Sequence, residues 1–340
     1  MYGCSYRMKK TLLIDSSCIG YQAFYSMGNL SHDGAPSGVV FGFLSRCLDL
    51  GHQFNTNRLV FCWDSPRSFR KELDPRYKEN RNPRNPKNSK KKTEEERAMR
   101  AILNTQMDTL RENLLPRIGW GDQLLQEGLE GDDMLAIAAD LGMDPSVIVT
   151  SDEDLFQCLV KKGSHYPEVT IWNPRKHLLW TSESFTKKYG ILPQDWIEVK
   201  ALGGCVSDNV IGVPGVKEKT AIKWITGVLP SHHQVFTAIE EFREDPQYQI
   251  NNQLVLLPHP RTEAVGIFPS PELSLEALQE IAGEYGMRSL LSGDTLQRWA
   301  DLFDGQFDSK TPRSSYNGVR GKTRDKMKER KKRKRKGFRL

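Results

Sequence analysis

Three short apolar runs in this chain each lead into aspartate: Thr11-Leu-Leu-Ile-Asp15, Leu59-Val-Phe-Cys-Trp-Asp64 and Val147-Ile-Val-Thr-Ser-Asp152, with Asp154 close behind. Short runs that are apolar almost throughout are how strands buried on both faces of a parallel sheet read in sequence. Stretches of helical spacing separate them, so the expected fold is α/β, a doubly wound and mostly parallel sheet. In such a sheet the carboxyl ends of the strands share one edge, where ligands bind. A further acidic group, Glu127-Gly-Leu-Glu-Gly-Asp-Asp-Met-Leu-Ala136, puts Glu130, Asp132 and Asp133 just before the apolar run Met134 to Ala139. Alone it is an ordinary helix start, where the positive end of the helix favours acids. With the strand ends it brings a crowd of carboxylates to one crevice. They repel each other unless cations sit among them, and an all-oxygen ligand set suits Mg²⁺ or Mn²⁺.

In chain order, Thr11 to Asp15 reads as a strand, Ser17 to Tyr25 as the start of a helix, and Gly34-Ala-Pro-Ser-Gly38 as a turn before a helix from Val39. Arg58 to Asp64 is the second strand. Residues 65–92 are rich in Pro, Asn and basic side chains and hold too little apolar surface to fold alone, which marks an insertion with a function of its own or a disordered one. Thr93 is the expected N-cap of a helix with Glu94 to Glu96 in its first turn and one apolar face, Met99, Ile102, Leu103, Met107, Leu110 and Leu114. Asp122 to Gln126, Ser146 to Thr150 and Val169 to Trp172 read as strands, Met134 to Leu141 and Asp154 to Val160 as helices. The pattern from about Ser182 is helical and contains a glycine-bearing turn, Val210-Ile-Gly-Val-Pro-Gly-Val-Lys-Glu-Lys-Thr-Ala221; residues 231–310 read as short helices and loops without a motif.

Charge is unevenly spread. Residues 320–340 hold thirteen Lys/Arg and two acids, a net of +11 within a chain of +6, which leaves the rest at −5. The tail, 311–340, is expected to be disordered. Its simplest use is salt-dependent, sequence-independent affinity for nucleic acid, with partner docking or nuclear localisation as alternatives. The six cysteines show neither zinc-site nor disulfide spacing, which fits a reducing, intracellular setting. No run approaches the roughly eighteen apolar residues needed to cross a bilayer, and no signal core opens the chain, so neither a membrane nor export is expected.

Six ordered motifs resemble the 5′-nuclease family, which includes flap endonucleases, the 5′-exonuclease domain of bacterial DNA polymerase I and phage 5′-exonucleases of ribonuclease H type. They are Asp15; Trp63-Asp64-Ser-Pro-Arg-Ser-Phe-Arg70; Tyr77-Lys78-Glu-Asn-Arg81; Gly128-Leu-Glu130-Gly-Asp132-Asp133; Thr150-Ser-Asp152-Glu-Asp154-Leu; and Ser207-Asp208-Asn209 with Gly212-Val-Pro-Gly215. Any one is weak, but six in order are specific. The resemblance, from about Thr11 to Trp224, implies a PIN-like nuclease core over 8–180 with a basic arch at 65–92. It implies a helical DNA-binding region over 181–310, with a helix–hairpin–helix near 198–226. By that resemblance Asp15, Asp64 and Asp132 hold one of two metal ions, Glu130 lies between them, Asp152, Asp154 and Asp208 hold the other, and Asp133 orders water outside. Lys78, Arg81 and Arg70 would neutralise the scissile phosphate, Tyr77 would stack on a base, and Gly212, Val213, Gly215, Lys217 and Lys219 would hold duplex backbone, with K⁺ at the turn.

The activity implied is structure-specific 5′-3′ exonuclease or flap endonuclease cleavage of branched DNA or RNA–DNA primers in replication or repair. The implied setting is a monomer in the cytoplasm of a bacterial or phage-infected cell, working beside a replicative polymerase or single-strand-binding protein in trans. Two other readings stand beside it: a DNA junction-binding protein with impaired catalysis, and a metal-dependent ribonuclease of related fold. The first is motivated by Cys205, which stands where the family pattern Gly-Asp-x-x-Asp-Asn has its first aspartate. Lys217 likewise replaces the third glycine of the family's turn.

Overall fold

The computed structural model describes residues 10–81, 94–142, 144–266 and 271–307. Strand β1 (Thr11–Asp15) runs into α1 (Ser16–Met27), and a two-residue ribbon of β2 (Ser31–His32) and β3 (Ala35–Pro36) turns the chain into α2 (Gly38–Phe54). After β4 (Leu59–Cys62) come α3 (Arg70–Leu73), a 3₁₀ turn at Glu79–Arg81 and α4 (Glu94–Thr109). A π turn over Leu110–Leu114 carries α4 into α5 (Leu115–Ile118). Gly119 ends that helix in the left-handed region, φ 103°, where a Cβ would lie 1.9 Å from the Glu272 carbonyl oxygen. Only glycine fits there. The core continues with β5 (Gln123–Leu124), α6 (Gly131–Leu141), β6 (Ser146–Val149), β7 (Val169–Asn173) and β8 (Leu178–Trp180). The remaining helices are α7 (Ser182–Tyr189), α8 (Trp196–Gly203), α9 (Glu218–Ile225), α10 (Gln234–Arg243), α11 (Pro246–Val255), α12 (Leu275–Glu284) and α13 (Gly293–Phe303).

The six-stranded sheet has the order β5-β4-β1-β6-β7-β8, parallel except for the antiparallel edge strand β8. The chain builds outward from β1 in one direction and then in the other, so β1 is the topological switch point. Because alternate residues of a strand face opposite sides, Leu12, Ile14, Leu59, Phe61, Val147 and Val149 enter one core while Leu13, Val60, Ile148, Val169 and Ile171 enter the other.

The first core is covered by α1, α2, the α4–α5 helix and, from far downstream, α12 and α13 through Leu278, Ile281, Trp299 and Leu302. The second is covered by α6 to α10. The packing therefore does not divide near residue 181. The last helices belong with the first half of the chain, because their apolar faces complete a core that α1 and α2 leave open.

The α/β fold with a mostly parallel sheet is as expected, and several bounds differ. The ladder of β4 stops at Cys62, leaving Trp63 and Asp64 beyond it. The helix expected over Asp154 to Val160 is a single 3₁₀ turn, Asp154–Cys158, because Val160 instead pairs with Val169. The Thr93 cap, much of the arch and the tail 311–340 lie outside the described residues.

Candidate active site

Three carboxylates end adjacent parallel strands. Asp15 closes β1 at the switch point and caps α1, with Oδ1 accepting the Cys18 amide at 2.8 Å and Oδ2 accepting the Thr150 hydroxyl, just past β6, at 2.7 Å. Asp64, beyond β4, accepts the Ser17 hydroxyl at 2.5 Å and the Gly131 amide at 2.8 Å. Asp152 lies beyond β6, its amide donating to Thr150 Oγ1 at 3.0 Å. Asp132, in the first turn of α6, joins them, and its carboxylate accepts no hydrogen bond from the described residues.

These groups feel one another. Burial first, then the charges of Asp64 and Asp152, push the Asp15 carboxyl up to about 7 against its two hydrogen bonds. Burial, then Asp152, Asp15 and Asp64, raise Asp132 well above the carboxylate range. Asp152 reaches solvent but is walled by protein; that crowding and Asp154 raise it to about 6. Acids this costly to ionise together are a site waiting for positive charge.

Glu130 faces this group from the N-terminus of α6. Its Oε2 accepts Lys78 Nζ at 2.6 Å and the Tyr77 hydroxyl at 3.0 Å. Burial opposes its charge, but Lys78 and Arg70 outweigh that and hold it below the usual range. Lys78 sits in the left-handed region, φ 54°, fixed by its amide donating to the Asp208 carbonyl at 2.7 Å. Its side chain reaches Glu130 at the edge of the acidic group. Arg81 closes the 3₁₀ turn that follows, and its side chain lies outside the described residues.

Three expected roles do not fit. Arg70 is 2% exposed, and Asp133 is fully buried. Arg70 donates to Asp133 twice, at 2.7 and 2.8 Å, and to the carbonyls of Leu254 and Leu256 at 2.8 and 3.0 Å. Four of its five N–H donors are engaged and the group is enclosed, so it is not offered to a phosphate. Asp133 also accepts the amides of His259 and Glu130, at 2.8 and 3.0 Å, so it anchors the helix start rather than ordering water at a metal. Tyr77 is 3% exposed, its ring covered and its hydroxyl held by Glu130, so it offers no face to a base.

Sequence reasoning missed what buries them. The segment after α11 crosses behind the site, where Gln157 donates to the Val255 carbonyl and accepts the Leu257 amide, both at 3.0 Å, and Gln126 and Glu263 exchange two bonds. Backbone partners leave no side-chain motif to find. Gly128 explains the fit on the other side: at φ 81°, a Cβ there would meet the Phe69 ring at 2.4 Å.

On the far side, Asp154, Cys205 and Asp208 bring one ligand atom each to within 4.8 Å of one another. Lys200, from α8, is paired with Asp154 Oδ1 at 2.9 Å and Glu218 Oε1 at 3.3 Å. The turn joining α8 to α9 holds the remaining expected residues. Val213 is buried and its amide donates to the Leu202 carbonyl at 2.8 Å, so that N–H is not offered outward. Gly212 packs against backbone, where a Cβ would lie 2.3 Å from the Leu202 oxygen. Gly215, Lys217 and Lys219 are exposed around the start of α9.

With this geometry in place, the comparisons with known proteins are direct. The model of the 5′-3′ exonuclease N-terminal resolvase-like domain matches residues 10–190, more than half of the chain. The chain belongs to the 5′-3′ exonuclease family. The 5′-3′ exonuclease of Bacillus subtilis is 31% identical over 227 residues, 64% of this chain and 69% of that protein. DNA polymerase I of Mycobacterium tuberculosis is 31% identical over 231 residues, 64% of this chain but 23% of the polymerase. Among solved structures, the T5 5′-exonuclease with bound zinc ions shares the fold at a TM-score of 0.60 and 18% identity, over 87% of this chain and 99% of that one. Human GEN1 in complex with Holliday junction DNA does so at 0.54 and 17%, over 87% and 73%. Members of this family are metal-dependent nucleases, and the acid-lined edge of the sheet is where this chain carries the matching chemistry. Among the described residues no helix is long and apolar enough to cross a membrane.

Proposed function

We propose that this chain is a structure-specific 5′-nuclease that hydrolyses phosphodiesters near 5′ ends of branched DNA and of RNA–DNA primers. One observation carries the reading: Asp15, Asp64, Asp132 and Asp152 meet at the carboxyl edge of the sheet beside its switch point, where burial and then mutual repulsion raise Asp15, Asp132 and Asp152. The donor set fits a hard divalent cation, Mg²⁺ or Mn²⁺, with Asp15, Asp64 and Asp132 holding it and Glu130 beside it. When bound, such an ion supplies activation of an attacking water and neutralises charge on the leaving oxygen.

The chain's own groups do the rest. Ser17, Thr150 and the amides of Cys18 and Gly131 fix the orientation of the carboxylates. Lys78 brings an ammonium to the same crevice, where it would meet the scissile phosphate. Exposed Lys217 and Lys219 at the start of α9 would grip duplex backbone, and the basic tail would add sequence-independent affinity. K⁺ at the α8–α9 turn, and a polymerase or single-strand-binding protein acting in trans, belong to the same reading.

The second divalent ion fits less well. On that side a thiol, Cys205, completes the group with Asp154 and Asp208, and thiols are poor Mg²⁺ ligands. This observation favours the alternative of a junction-binding protein with impaired catalysis. A 5′-end-labelled flap and an RNA–DNA hybrid, incubated with Mg²⁺, Mn²⁺ or EDTA, decide between them. Metal-dependent release of labelled 5′ fragments is expected; binding without cleavage in either metal would favour the junction-binding protein.

A further inference from the structure

The geometry points to Lys200 as a resident cation in place of a second divalent ion: its ammonium neutralises Asp154 beside Cys205 and Asp208, and the chain holds one tight metal ion. The inference rests on the nuclease reading above.

Lys200 is in the last turn of α8, where a cation is favoured by the helix dipole. Its ammonium lies 2.9 Å from Asp154 Oδ1 and 3.3 Å from Glu218 Oε1, and Trp196, one turn earlier, presents its ring 5.4 Å away. The side chain is mostly enclosed, so the position is held by packing as well as charge. A divalent ion at Asp154 would stand beside this fixed positive charge or have to expel it from Glu218 as well.

The third corner of the group is no help to a hard cation. Cys205 offers sulfur, engaged with the Ser207 hydroxyl at 3.0 Å. Nor does its loop let another ligand swing in. The Cys205 amide donates to the Val210 carbonyl and the Val210 amide donates to the Cys205 carbonyl, both at 3.0 Å, which locks the backbone on either side of Asp208. An aspartate at 205 would add a fourth carboxylate to Asp152, Asp154 and Asp208. The thiol leaves three, and the ammonium is paired with Asp154. The two substitutions for metal chemistry, sulfur for oxygen and ammonium for ion, are thus neighbours in space.

The test counts ions rather than turnover. Mn²⁺ is titrated into the metal-free full-length chain, with and without a 5′-phosphorylated duplex, and free Mn²⁺ is read by electron paramagnetic resonance. One tight ion per chain is expected for the wild type, any second binding at least tenfold more weakly. In Lys200→Met/Cys205→Asp the second should bind within tenfold of the first. Lys200→Arg keeps the charge and should stay at one ion, and Cys205→Asp alone, the gentler change, should fall between. Two equally tight ions in the wild type would overturn the inference while leaving the nuclease reading intact, and so would a well-folded double variant that still binds one. No tight ion in the wild type would overturn both readings. Circular dichroism establishes folding for each variant.

Discussion

Arg70 and Asp133 face each other as a buried fork, two parallel N–H···O bonds of 2.7 and 2.8 Å, 63 residues apart in sequence. Through it the base of the arch, the start of α6 and the segment after α11 are tied at one point. Toward the crevice where the other acids gather, Arg70 reaches Glu130 Oε2 at 3.9 Å, and Glu130 and Asp132 sit beside Asp133 in the same helix start.

Arg70→Lys should therefore destabilise the fold and impair catalysis in a specific way. Lysine keeps the charge but cannot form the fork or reach both carbonyls, and each buried acceptor left unmatched costs about 1–3 kcal/mol. Urea unfolding should show that loss. At a temperature where the variant is folded, kcat should fall with KM little changed, since Glu130 and Asp132 lose their fixed start. An unchanged kcat in folded protein would make the fork a matter of stability only.

Asp132→Ala should abolish cleavage while leaving DNA affinity nearly intact, because the group removed faces cations rather than phosphate. Flap cleavage and fluorescence anisotropy on the same substrate check this. Normal turnover by the variant would remove Asp132 from the metal set.

Lys78→Ala should lower turnover by about a hundredfold, the scale of one electrostatic donor lost from a reacting centre, with a much smaller change in affinity. Single-turnover kinetics separate the two. Equal losses in both would make Lys78 a binding contact only.

The metal-free protein should become more stable as pH falls from about 8 to about 5. The folded-state values of Asp15, about 7, and Asp152, about 6, lie above the ordinary aspartate value of 3.8. The folded chain thus takes up protons before the unfolded one does, and the repulsion present above pH 7 is relieved on the way down. Thermal melts in EDTA should show the rise, and Mg²⁺ should flatten it by neutralising the same groups at high pH. A melting temperature that falls steadily over this range in EDTA would contradict the crowding.

Replacing both Lys217 and Lys219 with Ala should weaken duplex binding uniformly across sequences and shrink the slope of log affinity against log salt by about two, one for each phosphate contact. A salt titration of anisotropy measures it, and an unchanged slope would place the duplex elsewhere.

The strand-end aspartates were legible because a short apolar run followed by an acid constrains both topology and chemistry. Lys78 was legible from the ordered motifs. The roles expected of Arg70 at phosphate, Tyr77 at a base and Asp133 at outer water all need an open side, and all three residues face inward instead. Their partners are the carbonyls and amides of residues 254–259, and a backbone group carries no signature of what it will bind. Lys200 went unremarked for a related reason: a single lysine in a helix is ordinary until Asp154 and Glu218 are seen around it. The return of α12 and α13 to the first core was hidden too, since an amphipathic helix does not say which face it will cover.

That return has a consequence for modularity. His52 Nε2 lies 2.8 Å from the Arg298 carbonyl oxygen, the Asn57 side chain donates to the Phe303 carbonyl, and Trp120 packs against both Trp299 and Phe303. A fragment cut at residue 190, where the match of the family model ends, would keep every carboxylate of the proposed first metal position but lose Leu278, Ile281, Trp299 and Leu302 from its core. Each buried side chain of this kind is worth about 1.5–3 kcal/mol, which is comparable in sum with the whole stability of a domain. The unit that can be moved between proteins, or expressed by itself, is therefore longer than the stretch that the family model matches.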